Sequence, residues 1–228
     1  MPTVLITGAS RGLGLEFTKQ YAADGWRVYA CCRNPHGADE LNALAGDRVT
    51  VHALDVDELP SARGCANELA GVPVDVLINN AGVIGQRVND MDEADYDAWL
   101  ACLNTNVLGP MRVSAAFRDN LLAGNEKKLV VISSKMGSIG GLQGPGHYVY
   151  RSSKAGANMV MKSLSFELAD EGVIAMAFHP GWVQTDMGGA AADLTAKDSV
   201  AQMRTVIAGL TPADNGSFKN YDGAALPW

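Results

Sequence analysis

The chain has few cysteines and no cysteine motif. Its 228 residues include four cysteines, Cys31, Cys32, Cys65 and Cys102, and no pair has the Cys-x-x-Cys spacing of a zinc or redox site. Cys31 and Cys32 are neighbours in an apolar run, which favours core packing over a disulfide or a metal ligand. This usage is typical of a reducing compartment, so we expect a cytoplasmic protein.

The chain also lacks an excess of positive charge. Its formal net charge is −7 and its pI is about 5.0, which argues against nucleic acid or an anionic membrane surface as the main partner. A phosphate-bearing ligand would therefore need a local binding site. The apolar run Val4-Leu5-Ile6 is too short for a signal peptide, and no run reaches membrane-spanning length. His36 and His52 stand far from any metal-like cluster, so no metal site is expected.

What the chain does contain is a regular alternation of short apolar runs and longer amphipathic segments. The apolar runs predict six strands, mostly apolar on both faces: Thr3–Thr7, Arg27–Cys32, Arg48–Ala53, Val74–Asn79, Lys128–Ser133 and Val173–Phe178. The segments between them predict helices over Leu13–Ala23, Ala38–Leu44, Glu58–Leu69, Tyr96–Leu121 and Tyr150–Asp170. This order predicts one α/β domain over residues 1–228, a Rossmann-like doubly wound parallel sheet with helices on both faces.

A glycine-rich loop follows the first predicted strand. It reads Thr7-Gly8-Ala9-Ser10-Arg11-Gly12-Leu13-Gly14 and opens the first predicted helix. Glycines at such a turn allow close backbone approach to a pyrophosphate, which the helix N-terminus then stabilises. The spacing is Gly-x-x-x-Gly-x-Gly rather than Gly-x-Gly-x-x-Gly. A glycine turn without a ligand is the alternative, but the strand–turn–helix context favours a dinucleotide site.

The end of the second predicted strand distinguishes NADP from NAD. An NAD site usually has an acidic residue there for the ribose 2′-hydroxyl, whereas this chain reads Cys31-Cys32-Arg33-Asn34. The guanidinium of Arg33 suits a 2′-phosphate, and Arg11 can add a second positive charge. Either arginine alone could be an ordinary surface residue. Together they favour NADP(H) as the cofactor.

A phenol and an ammonium lie four residues apart at Tyr150 and Lys154, a spacing that places both on one face of a helix. A nearby cation stabilises a phenolate, so Lys154 is expected to lower the pKa of Tyr150 towards neutrality. Tyr148 is the neighbouring alternative, but the residue four positions after it is Ser152.

With these motifs in order, the chain resembles the short-chain dehydrogenase/reductase family over nearly its whole length. The matching segments are Thr7-Gly-x-x-x-Gly-x-Gly14, Asp55, Asn79-Asn80-Ala81-Gly82, Asn106, Ser133-Ser134, Tyr150-x-x-x-Lys154 and Pro180-Gly181-Trp182-Val183-Gln184-Thr185. Ser133–Gly140, Tyr150-Arg151-x-Ser153-Lys154 and the tail Phe218-x-x-Tyr221-Asp222-Gly223-x-x-Leu226-Pro227-Trp228 look more narrowly like the C-factor/sniffer-like branch of carbonyl reductases.

The resemblance implies four catalytic residues. Tyr150 would exchange the proton with the substrate oxygen, and Lys154 would lower the phenol pKa and bind the nicotinamide ribose. Ser134 would hydrogen-bond the substrate oxygen, and Asn106 would complete a proton relay through water to the lysine. Ser134 is chosen because Gly137 follows it at the family's spacing; Ser138 is the alternative.

The resemblance also implies the cofactor contacts. Asp55 and Val56 would bind the adenine, Asn80-Ala81-Gly82 would pack on the adenosine side, and Val183 and Thr185 would meet the nicotinamide carboxamide. The full expected set is Gly8, Ser10, Arg11, Gly12, Leu13, Gly14, Arg33, Asp55, Val56, Asn80, Ala81, Gly82, Tyr150, Lys154, Pro180, Gly181, Val183 and Thr185.

The sequence therefore predicts an NADPH-dependent oxidoreductase that reversibly reduces a ketone or aldehyde. The alternative is a dinucleotide-binding signalling or redox-sensing protein with little turnover. Substrate specificity is expected in the Gly140–His147 loop, the Val83–Asn89 turn and a lid at about residues 185–208. The family resemblance implies a homo-oligomer, a dimer or a tetramer.

Overall fold

A computed structural model describes residues 1–228 and contains one seven-stranded, fully parallel sheet in the order β3-β2-β1-β4-β5-β6-β7. The strands are β1 Thr3–Thr7, β2 Arg27–Cys32, β3 Val49–Ala53, β4 Val76–Asn79, β5 Lys128–Ile132, β6 Ile174–His179 and β7 Phe218–Asn220. The six predicted strands are confirmed with small shifts at their ends, and so is the doubly wound fold class. β1 lies centrally and pairs with β2 and β4, so the chain reverses its winding direction there. This reversal opens a crevice at the carboxyl ends of the strands.

The helices cover both faces of the sheet because the strands are apolar on both faces. They are α1 Gly12–Ala23, α2 Asp39–Asn42, α3 Leu59–Glu68, α4 Tyr96–Leu103, α5 Gly109–Ala116, α6 Arg118–Ala123, α7 Tyr148–Glu167 and α8 Ala196–Ala208. One face carries a core around Phe17, Phe178 and Met203. The other face carries a core around Phe117 and Met161. No helix combines the length and apolar character needed to cross a membrane.

The single helix predicted over Tyr96–Leu121 is wrong, because the segment is divided into α4, a π-turn at Asn104–Leu108, α5 and α6. Pro110 lies in the first turn of α5 and has no N–H to donate to the carbonyl of Asn106, four residues earlier. The wider turn accommodates this missing bond, and it places Asn106 next to the site.

The expected lid at residues 185–208 consists of two different structures. Residues 196–208 form α8, whose Val200, Met203 and Ile207 are buried in the core shared with α1. A helix anchored by three buried side chains belongs to the fixed body of the domain. Only the segment before α8 remains a candidate for a lid, since Thr185, Asp186 and Met187 border the cavity.

The segment after α8 contains a seventh strand that the sequence analysis missed. β7 adds to the sheet edge beside β6, with Ala177 paired to Phe218 and His179 to Asn220. The chain then reverses, and the amide of Leu226 donates to the carbonyl of Phe218 at 2.8 Å. A three-residue strand is too short to show a period, so only its pairing with β6 identifies it.

Candidate active site

The glycine loop between β1 and α1 is shaped by very close backbone contacts. Gly8 has a φ of +65°, and a Cβ there would lie 2.8 Å from the Cα of Ala81. A Cβ on Gly14 would lie 2.3 Å from the carbonyl oxygen of Gly8. The loop therefore folds back onto the start of α1 and against the end of β4, an arrangement that only glycine allows at these two positions.

Thr7 and Asn80 connect the loop to the neighbouring strand. The Thr7 hydroxyl accepts hydrogen bonds from the amides of Asn80 and Ala81, both at 3.1 Å. The Asn80 side chain donates to the carbonyls of Thr7 at 2.9 Å and Gly8 at 3.1 Å. Asn80 thus holds the loop in place through its side chain.

A cavity of about 300 Å³ opens at the carboxyl ends of the strands, above this loop. Most of the expected cofactor residues line it: Gly8, Ser10, Arg11, Gly12, Leu13, Arg33, Asp55, Val56, Asn80, Ala81, Gly82, Tyr150, Lys154, Pro180 and Thr185. Gly14, Gly181 and Val183 do not line it. Val183 is buried and forms a β-bridge with Leu194, so it supports the cavity wall from behind.

Several lining residues were not expected from the sequence. Asp57 and Thr105 border the cavity next to the expected Val56 and Asn106. Cys32 and Ile132 contribute where β2 and β5 end, and Met187 contributes from the segment after Thr185. The signal that could have found the strand residues is their position at the carboxyl ends of predicted parallel strands.

Arg33 and Arg11 both line the cavity, and both are exposed at its edge. No carboxylate accompanies Arg33 at the end of β2. The Arg11 guanidinium lies 3.6 Å from the carboxylate of Asp186, and both side chains are about four-fifths exposed. An ion pair so open to water contributes little, so Arg11 can exchange Asp186 for another anion at low cost.

Tyr150 and Lys154 lie in the first two turns of α7 and face the cavity. The Lys154 Nζ is 5.7 Å from the centre of the Tyr150 ring and donates to the carbonyl of Ile132 at 2.9 Å. Burial lowers the pKa of Lys154 to about 8. The pair therefore lies at the cavity wall with its ammonium fixed by the end of β5.

The expectation that Lys154 brings the pKa of Tyr150 down is not met in this structure. Burial raises the pKa of Tyr150 to about 12, and the Ser134 hydroxyl opposes that rise. The lysine is itself desolvated and directed at the Ile132 carbonyl, so loss of hydration dominates at the phenol. Tyr150 is consequently a protonated phenol at neutral pH.

The two candidate serines have different surroundings. The Ser134 hydroxyl accepts the amide of Met136 at 3.1 Å and faces the Tyr150 phenol, whose pKa it lowers. The Ser138 hydroxyl donates to the carbonyl of Pro227 at 2.6 Å, so its proton is already used. This difference favours Ser134 as the residue available to a substrate oxygen.

Asn106 is buried, and its side-chain amide is fully engaged. Its Nδ2 donates to the Val83 carbonyl at 2.7 Å and the Ser153 hydroxyl at 2.9 Å, while its Oδ1 accepts the Val83 amide at 2.8 Å. The relay expected from Asn106 to Lys154 stays a prediction. The side chain fixes the turn that begins at Val83 onto α7.

Two further features complete the description of the site. No group of three or more His, Cys, Asp or Glu side chains is arranged to hold a metal ion. The Tyr150 hydroxyl has the Met187 sulfur 4.0 Å away. Met187 thus covers the phenol on the side of the cavity opening.

Known proteins share this architecture. A family model described as short chain dehydrogenase matches residues 2–195. The C-signal protein of Myxococcus xanthus is 44% identical over 168 residues, which are 73% of this chain and 99% of that protein. The carbonyl reductase Sniffer of D. melanogaster has a TM-score of 0.94 and 31% identity, with 100% of both chains covered. The NADPH-bound carbonyl reductase from chicken fatty liver has a TM-score of 0.93 and 33% identity, covering 100% of this chain and 94% of that one.

The parallel sheet, the glycine loop and the match over most of the chain define the class of protein. The chain belongs to the short-chain dehydrogenase/reductase family of oxidoreductases. Within that family it is a member of the C-factor/sniffer branch, as the similarity to C-signal and to the two carbonyl reductases shows.

Proposed function

We propose that this protein is an NADPH-dependent reductase that converts a ketone or aldehyde to the alcohol. The observation that carries the proposal is the placement of Tyr150, Lys154 and the glycine loop around one cavity. NADPH, when bound, supplies the hydride, and the protein's task is to orient the substrate and provide the proton.

Tyr150 is the proposed proton donor. Its raised pKa keeps it protonated at neutral pH, which is the form that carbonyl reduction requires. The Ser134 hydroxyl, which faces the phenol, would hold the carbonyl oxygen beside it. Lys154, with a pKa of about 8, is mostly protonated at pH 7 and would stabilise the phenolate left after proton transfer.

The residues present fit an NADP cofactor. Gly8 and Gly12 line the cavity without side chains, so a pyrophosphate could approach the loop backbone there. Asp55 and Val56 would bind the adenine, and Thr185 would hold the carboxamide of the nicotinamide. Arg33, with Arg11 on the facing loop, would bind the 2′-phosphate. The chicken carbonyl reductase, of similar structure, is described with NADPH bound, which supports the same cofactor here.

The entrance to the cavity favours a carbonyl compound with an apolar substituent. Val83 and Met187 line it, and both are about two-fifths exposed. Trp182 is half-exposed and donates to the Gly188 carbonyl at 2.8 Å, which fixes its indole next to Met187. Exposed apolar side chains grouped at a cavity are typical of a ligand-binding surface.

The test is NADPH oxidation by the purified protein with a panel of aliphatic and aromatic ketones and aldehydes. We expect turnover with at least some of them, and Tyr150→Phe should lower kcat by several orders of magnitude while leaving the Kd for NADPH nearly unchanged. Tyr148→Phe, a substitution of the same kind two residues away, should retain activity. Near-full activity of Tyr150→Phe would contradict the role given to it.

A second candidate function is that of a dinucleotide-binding signalling protein with little turnover. The 44% identity to C-signal, a protein named for signalling, is the observation that favours it. Tight NADPH binding without turnover across the panel, together with no effect of Tyr150→Phe on a cellular phenotype, would decide for this alternative.

We further propose that the protein is a cytoplasmic homo-oligomer. All four cysteines are free and buried, as suits a reducing compartment. The outer surface of α4, the π-turn and α5 forms an apolar face on which Leu100, Leu108 and Met111 are 63%, 49% and 40% exposed. Such a continuous apolar face is costly in water, and a second copy of the chain would cover it.

A further inference from the structure

The tail after β7 folds back across the sheet edge and is fixed there by its aromatic residues. The Trp228 ring stacks on Phe218 with ring centres 5.4 Å apart. The Lys162 ammonium lies 5.7 Å from the centre of the Trp228 ring. Leu226 and Trp228 pack against the core on the α7 face. The tail, Tyr221–Trp228, is therefore a fixed part of the domain.

The fixed end of the tail contacts the loop that follows the catalytic serine. The buried Ser138 hydroxyl donates to the Pro227 carbonyl at 2.6 Å, and the Gly140 amide donates to the backbone oxygen of Trp228 at 2.8 Å. The Gly141 amide in turn donates to the Ser138 hydroxyl at 2.9 Å. Between Ser138 and Gly146, every hydrogen bond to a distant part of the chain goes to Pro227 or Trp228.

The two glycines of this junction lie where a side chain would disturb it. A Cβ on Gly140 would lie 3.2 Å from the Trp228 oxygen and 3.4 Å from the Cβ of Pro227. A Cβ on Gly141 would lie 2.9 Å from the Ser138 hydroxyl. By contrast, a Cβ on Gly144 in the same loop would meet nothing within 4 Å. The loop is thus packed closely at Gly140 and Gly141 and again at Gly146, where a Cβ would lie 2.8 Å from the Asn89 Oδ1, and it is open at Gly144.

The upstream end of the same loop is held by α7. A Cβ on Gly137 would lie 2.6 Å from the backbone carbon of Lys154, so the turn carrying Ser134 packs directly on the catalytic helix. From the next residue, Ser138, the loop is instead held by hydrogen bonds to the tail. On the other side of the cavity, a Cβ on Gly181 would lie 3.0 Å from the Tyr221 ring. The tail therefore contacts loops on both sides of the site.

We propose that the tail is a positioning element of the active site and that Ser138 is its positioning residue. Through Ser138, Gly140 and Gly141 it would set the course of the Gly140–His147 loop, which the sequence analysis expects to determine substrate specificity. At this junction the tail would act on carbonyl binding, whereas its contact with the cofactor side of the cavity is the separate one between Tyr221 and Gly181. This role assumes the proposed reductase function, and the chemistry at Tyr150 does not depend on it.

The experiment compares Ser138→Ala and Gly140→Ala with Gly144→Ala, the matched control in the same loop. Hydrogen exchange of the Gly140 and Gly141 amides is measured first, because it needs no turnover. We expect at least tenfold faster exchange in Ser138→Ala and Gly140→Ala and no change at these amides in Gly144→Ala.

Kinetics with a bulky and a small carbonyl substrate form the second readout. For the bulky one, Ser138→Ala should raise KM about tenfold, because the hydrogen bond that holds the loop to Pro227 is lost. Gly140→Ala should also raise this KM, because its Cβ crowds the Trp228 oxygen and displaces the loop. The kcat, the Kd for NADPH and the KM for the small substrate should stay within about twofold. A general loss of stability would instead change all of these together and lower the Tm.

The outcomes separate the two proposals. A wild-type protein that turns over no carbonyl compound contradicts the reductase function, while the exchange measurement still decides whether the tail holds the loop. Unchanged exchange in both junction variants overturns the positioning role, and so does a KM no different from that of Gly144→Ala. If Ser138→Ala does not fold, Gly140→Ala decides alone, because it removes no hydrogen bond donor.

Discussion

Raising the pH through the titration of Lys154 is the sharpest perturbation that the site offers. Burial places the pKa of Lys154 at about 8, whereas that of Tyr150 lies at about 12. Between pH 7 and 9 the lysine therefore loses its charge while the phenol keeps its proton. If the ammonium stabilises the developing phenolate, carbonyl reduction should weaken over this range with Tyr150 unchanged.

The size of the effect follows from the proton equilibrium. With a pKa of about 8, the protonated fraction of Lys154 falls from about nine-tenths at pH 7 to about one-tenth at pH 9. If only the protonated form is active, kcat/KM falls about tenfold and reaches a slope of one decade per pH unit.

The assay is the initial rate of NADPH oxidation at limiting carbonyl substrate from pH 6 to 10. Lys154→Arg is the control, since a guanidinium stays charged throughout. Its residual activity, whatever its level, should not fall between pH 7 and 9. A wild-type profile that is flat over this range, or a fall that Lys154→Arg shares, would refute the role of the lysine charge.

Three other predictions concern the cofactor, the fold and the assembly. Arg33→Ala should weaken NADPH binding about 10- to 100-fold, because charge-assisted hydrogen bonds are lost, and should leave NADH binding nearly unchanged. The Kd for each cofactor is measured by titration, with Arg63→Ala, at an exposed arginine, as the control variant. Equal binding of both cofactors by the wild type would contradict the prediction. His179 is buried with an unpartnered Nδ1, and burial lowers its pKa to about 4. In the unfolded chain His179 takes up a proton near its usual pKa, whereas in the folded chain it stays neutral down to about pH 4. The free energy of unfolding is therefore highest above about pH 6.5 and falls by about 2 kcal/mol towards pH 5. That loss lowers the Tm by about 4–8 °C, and His179→Gln should remove most of the difference between pH 7.5 and 5. Leu108→Asp should shift the sedimentation of the oligomer to that of the monomer. The same change at Met91, an exposed methionine outside that apolar face, should leave it unchanged.

The fold can be predicted from the sequence because each of its central strands is recognisable from its own residues. Each central strand is a continuous apolar run, as burial between two helix layers requires, and its limits can be read from the turn residues around it. The same kind of local pattern gave a wrong prediction over Tyr96–Leu121. The helical spacing of apolar residues continues through Pro110 there, although the proline interrupts the backbone hydrogen bonds of the helix. β7 was missed because three residues carry no period.

For the site, the spacing of Tyr150 and Lys154 within one helix predicts that they share a face, since a helix fixes the geometry of residues four apart. The glycine loop is equally local: its place between β1 and α1 follows from the order of residues. These features, together with the absence of an acidic residue directly after β2, indicate the family and favour NADP. Each of them depends only on residues that are close together in the sequence.

The tertiary structure alone decided which groups are buried and which distant residues meet. It showed that burial raises the pKa of Tyr150, that the Asn106 amide is bound to Val83, and that Ser138 is bound to Pro227 whereas Ser134 faces Tyr150. Each of these results depends on desolvation or on a hydrogen bond between segments far apart in sequence. The physical reason is that local spacing fixes the direction of a side chain, whereas its energy is set by whatever the rest of the fold places around it.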